Sequence, residues 1–81
     1  MLHARPDYSR IQDPWNKIPQ DEPVFIIRAQ DKVGAAAVRA WAELNNNVGG
    51  DLEATRLAYE QADRMDAWPV KKTCDLPTDS R

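Results

Sequence analysis

Eighty-one residues carrying 11 Lys and Arg against 13 Asp and Glu have a net charge of −2, too near neutral to grip duplex DNA, so a long nucleic acid is a poor fit. Apolar residues make up 42%, but much of that is alanine and only one residue is Phe, so a single domain hiding roughly 60–65% of its unfolded surface has a thin core. One cysteine, Cys74, excludes an internal disulfide framework, and there is no Cys/His set for structural zinc.

The opening Met-Leu-His-Ala-Arg-Pro lacks the apolar stretch of a signal peptide, and no run approaches the ~20 apolar residues of a membrane span. The expectation is a soluble cytoplasmic chain with no membrane partner. Residues 1–23 hold four of the six prolines, Pro6, Pro14, Pro19 and Pro23. Each fixes its own φ and biases its predecessor towards extended geometry, so this segment is an arm. Tyr8, Ile11, Trp15 and Ile18 punctuate it every three or four residues, as anchors would, either over the chain's own core or in a partner. Arg10 and Lys17 are interleaved with Tyr8 and Trp15, and base rings stack well on such side chains.

Val24 to Arg28 reads as one short strand, opened by Pro23 and apolar on both faces from Val24 to Ile27. No segment of similar quality pairs with it, so its partner is either the arm or the same strand of a second copy. Arg28, Gln30 and Lys32 alternate beyond it. On an extended chain they project to one side, just before a helix whose N-terminus offers unpaired N–H groups to an anion.

Helix one is expected over Val33 to Asn47, with Asp31 as N-cap and Val33, Ala37, Trp41, Leu44 and Val48 as its buried face. Arg39 and Glu43 stand four apart on the exposed side. Gly49-Gly50 ends the helix in a left-handed cap. Asp51 caps helix two, which runs to Trp68 and stops at Pro69. Its stripe is Ala54, Leu57, Ala58, Gln61, Met65 and Trp68, and its other side holds the spaced pairs Arg56–Glu60 and Glu60–Arg64. A two-residue connection makes the helices an antiparallel hairpin, packed through Leu57, Ala58 and Met65 against Trp41 and Leu44. Residues 70–81 form a tail with little to bury. The chain thus divides into an arm (1–23), a strand–helix–helix domain (24–69) and a tail.

No catalytic constellation is present. The acids of helix two, Glu53, Glu60, Asp63 and Asp66, read as a solvated ion-pair lattice. Cys74, Ser9 and Ser80 have no base beside them. The expectation is a protein that is not an enzyme and needs no cofactor.

Asp13-Pro14, Ile18-Pro19, Asp21-Glu22-Pro23-Val24-Phe25, Arg28-Ala29-Gln30-Asp31, Ala67-Trp68-Pro69 and Lys71-Lys72 together resemble small proteins encoded by tailed phages and prophages. The resemblance spans about residues 7 to 77, is strongest from Ile18 to Asp31, and carries no residue roles. It implies an accessory protein, many of which counter bacterial defences.

The fold class that follows is mainly α: an antiparallel helical hairpin preceded by a Pro-rich extended arm and one short strand, assembled as a homo-oligomer. The functional expectation is a phage-type protein in the host cytoplasm that counters defence by sequestering a small anionic signal of the cyclic-nucleotide or ADP-ribose type. Arg28, Gln30 and Lys32 would take its phosphates, and Tyr8, Arg10 and Trp15 its base. The alternative is a protein-interaction module that masks a host defence complex or serves as a minor phage structural part.

Overall fold

The computed structural model describes residues 2–3, 5, 7–8 and 12–76. In chain order the elements are β1 (Leu2–His3), β2 (Pro23–Val24), α1 (Gly34–Asn47) and α2 (Leu52–Ala67). Two compact units emerge, one of Met1–Ile26 with Asp75–Arg81, the other of Ile27–Cys74.

The first unit is mostly irregular. Its regular structure is a two-residue parallel pair, Leu2 opposite Pro23 and His3 opposite Val24. The expected strand from Val24 to Arg28 is cut to Pro23–Val24, and its partner within the chain is the start of the arm, one of the two expected. The reason lies just downstream. The Asp31 N–H donates to the Arg28 carbonyl and the Gly34 N–H to the Asp31 carbonyl, two successive turns that stop any extended run. Phe25 consequently stays 68% exposed instead of entering a sheet. A sharper device organises residues 13–18. The Asp13 carboxylate accepts the N–H groups of Lys17 and Ile18, each at 3.0 Å, while the Asn16 N–H closes onto the Asp13 carbonyl. Pro14 supplies the fixed φ that such a turn wants at its second position, and Asn16 takes a left-handed φ of 51°. Trp15 stands at the tip.

The second unit is the antiparallel hairpin. α1 begins without a side-chain cap on its first turn: Val33 is its N-cap residue, and Asp31 instead accepts the Val33 N–H at 3.0 Å. Asp31 is thus two residues too early to be the expected N-cap. At the other end the expectation holds. Gly50 N–H donates to the Asn45 carbonyl and Gly49 N–H to that of Asn46, with Gly49 at φ 78°, the paired closure of a left-handed C-cap. Asp51 caps α2 as expected, its carboxylate accepting the Ala54 N–H at 3.0 Å. Between the two caps Asn45 ties the ends together, donating from Nδ2 to the Thr55 hydroxyl (3.0 Å) and the Asp51 carbonyl (3.3 Å).

The seam between the helices is built from small residues. Ala35, Ala42, Ala62 and Met65 are buried, with Thr55, and Ile27, Ala29 and Val38 pack against the cluster. Gly34 belongs to the same close approach. A Cβ there would stand 2.7 Å from the Arg28 carbonyl oxygen and 3.1 Å from Met65 Cε. The expected burial of Leu57 against Trp41 and Leu44 is not seen: Leu57 is 50%, Trp41 51% and Leu44 63% exposed, and Gln61 and Trp68 are also exposed. Of the stripe assigned to α2, Met65 is buried and Ala54 and Ala58 are half-buried. Alanine on both sides brings the backbones close, and at that separation a Trp or Leu no longer fits between them. Arg39 differs too: it reaches across the hairpin to Asp63 (2.8 Å) and Asp66 (2.6 Å), not along its own helix to Glu43.

Candidate functional site

Arg28, Gln30 and Lys32 lie in the double turn that leads into α1, so they do not alternate along an extended chain. Arg28 and Lys32 are exposed, whereas Gln30 is half-buried. The chain after Pro69 returns to this end and pairs with it. Lys72 N–H donates to the Gln30 carbonyl at 2.7 Å, and Lys32 N–H to the Lys72 carbonyl at 3.0 Å, a parallel bridge that sets Lys72 opposite Asp31. Lys71 Nζ donates to the carbonyls of Ala29 (2.8 Å) and Met65 (2.5 Å). The tail expected to bury little therefore fastens the start of α1, and Lys71 and Lys72 join the basic residues of this end. A signal for this existed: Pro69 ends α2 at the end of the hairpin where α1 begins, so the next residues run beside 28–32. Asp31 works against an anion here, since its carboxylate already holds the Val33 N–H and the Gly34 N–H is taken by its carbonyl.

Tyr8 and Trp15 belong to the other unit, and Arg10 lies outside the described residues. The Tyr8 ring is covered on one face by the Arg5 guanidinium, 4.3 Å from its centroid, and Arg5 is held in turn by both oxygens of Asp7, at 3.0 and 2.8 Å. That stacking position is occupied from within the chain. Trp15, 77% exposed on its Asp13-built turn, is displayed.

The acids of α2 form the expected lattice. Arg56 pairs with Glu53 and Glu60, Arg64 stands 4.0 Å from Glu60, and Arg39 takes Asp63 and Asp66. The hydrogen bonds that Arg39 donates to Asp63 and Asp66, and Arg56 to Glu53, hold both guanidinium pKa values above their ordinary range. Arg39 and Arg56 each serve two carboxylates and Arg64 one, which leaves a polar side without a concentrated charge. Cys74 is exposed. Among the described residues no three His, Cys, Asp or Glu gather as metal ligands. Among the described residues no helix is long and apolar enough to cross a membrane.

The feature that sequence reasoning misplaced is the set of large apolar side chains. Turning about 100° per residue, α1 carries Ala37, Trp41, Leu44 and Val48 beside its alanine seam, and α2 carries Ala54, Leu57, Gln61 and Trp68 beside its own. Arg39 fixes the handedness. It leaves the seam in one sense and meets Asp63 and Asp66 on the same side of the hairpin. Trp41, Leu44 and Val48 leave in the opposite sense, and so do Leu57 and Trp68. The two stripes lie side by side on one face of the hairpin, and the Arg39 pairs with Asp63 and Asp66, beside exposed Leu52 and Tyr59, occupy the other. None of these eight positions carries a charge; the charge on the stripes is Arg64, between Gln61 and Trp68.

No family model, no curated protein and no solved structure matches the chain.

Proposed function

We propose that the chain is a non-catalytic interaction protein of phage type, acting in the host cytoplasm through exposed apolar surface and working as a homo-oligomer that masks a protein target. One observation carries this reading. Both units turn their large apolar residues outward, Trp15 and Phe25 in the first, Trp41, Leu44, Val48, Leu57 and Trp68 in the second, while alanines fill the seam. Tryptophan on a braced turn is the kind of side chain on which interface energy concentrates, because it adds much contact area for little lost freedom. The test is capture from a bacterial lysate by the immobilised chain and by its Trp15→Ala variant. A protein retained by the former, lost by the latter and displaced by soluble chain supports the reading; no specific capture contradicts it.

A second reading rests on the basic end. Lys72, backbone-paired with residues 30 and 32, adds to Arg28 and Lys32 where a phosphorylated signal would bind. A rise in Tm with a cyclic nucleotide or an ADP-ribose derivative at micromolar concentration, abolished in Arg28→Ala, would move the weight to it.

A further inference from the structure

We infer that the largely apolar face formed by Ala37, Trp41, Leu44 and Val48 with Ala54, Leu57, Gln61 and Trp68 is the self-association surface, and that its occupant is the same face of a second copy in a four-helix arrangement. This rests on the reading of the chain as an interaction protein and names the partner of that face.

Three observations select a second copy. The first is spacing. Positions 37, 41, 44 and 48 recur at intervals of four, three and four, and 54, 57, 61 and 68 follow the same heptad grid, with Arg64 at the grid position between the last two. That seam is read by another near-parallel helix, not by an extended peptide or a flat sheet. Two hairpins meeting by these faces supply four such seams to each other.

The second is area. The exposed fractions of Trp41, Leu44, Val48, Leu57 and Trp68 run from 50% to 82%, leaving on the order of 600 Å² of their surface in water, at the upper limit of patches that monomers tolerate. Two such faces in contact remove about 1,200 Å², where stable specific interfaces begin.

The third is charge. Some 30% of the chain is charged, yet along these two stripes Arg64, 4.0 Å from Glu60, is the one ionisable residue, and the Arg39, Asp63 and Asp66 pairs are on the far side. A copy that docks on its twin therefore brings one charge to this face, Arg64, whose long side chain reaches the rim, and a two-fold closure leaves no open end to propagate. The large side chains then become the core that alanines cannot provide within one hairpin.

The test is mass in solution by sedimentation, from micromolar to hundreds of micromolar, for the full chain and for Leu44→Lys. The wild type should run near twice 9.2 kDa, and Leu44→Lys should raise the dissociation constant more than about tenfold with the helical signal kept. Should Leu44→Lys fail to fold, cross-linking decides. On a Cys74→Ser background, Leu44→Cys should link into dimers through a short bifunctional reagent, and Ala36→Cys, beyond the opposite side of α1, should not. Linking at 36 but not at 44 overturns the face. A wild type of 9.2 kDa throughout overturns self-association. If the monomer still captures a target through Trp15, the interaction reading survives; if it captures nothing, both fall.

Discussion

The alanine seam and the face beside it contain residues of the same helices and the same hydrophobic period, yet one is closed and the other open. Ala42 and Ala62 are 0% exposed, while Val48 is 82% and Leu44 63% exposed. The difference shows that side-chain size, not apolarity alone, chooses which face of a doubly apolar helix meets its neighbour in the chain. Small residues let the helices approach closely, and that approach excludes the large ones, which then need a different partner.

The comparison can be broken most severely at the seam. Ala62→Leu adds three carbons where no space exists and should cost about 1–3 kcal/mol by urea unfolding. Gly34→Ala sharpens the same point. Alanine is the better helix former by ~1 kcal/mol, but its Cβ would sit 2.7 Å from the Arg28 carbonyl, a backbone atom that cannot swing away. A net loss of about 1–2 kcal/mol is expected, measured the same way. Gly49→Ala strains the turn between the helices, where φ is 78° with open space around it; the loss should be about 1 kcal/mol and smaller for Gly49→Asn. The smallest effect should come from the open face. Leu57→Ala, half exposed, should cost less than ~1 kcal/mol in dilute solution, and more only where the chain associates.

Much of the fold was legible. Asp51, Gly49-Gly50 and Pro69 marked the helix ends because caps and breakers act locally, through donors within a few residues. The choice between stripes was not legible, because 35–38–42 and 37–41–44 have the same period and only the facing helix decides between them. The strand misled for a similar reason: Val24 to Ile27 has strand-like composition, but the turns at 28–34, held by Asp31 and by pairing with Lys72 forty residues on, cut it short. Of the candidate site, Arg28 and Lys32 do share one exposed end, joined by Lys71 and Lys72, whose return no local signal in residues 24–33 announces. Tyr8 and Trp15 stand in the other unit. The clasp of Asn45 on Thr55 and Asp51 hid inside a run of three asparagines that reads only as weak helix.

The concentration dependence of the urea midpoint tests the central claim most directly, because a chain whose large residues are covered only by its twin must gain stability with concentration. The account predicts a wild-type midpoint that climbs steadily from micromolar to hundreds of micromolar, and a flat one for Leu44→Lys. A flat wild-type midpoint, with Leu57→Ala costing the ~2–4 kcal/mol of a buried leucine, would contradict it by placing the large stripes inside a single chain.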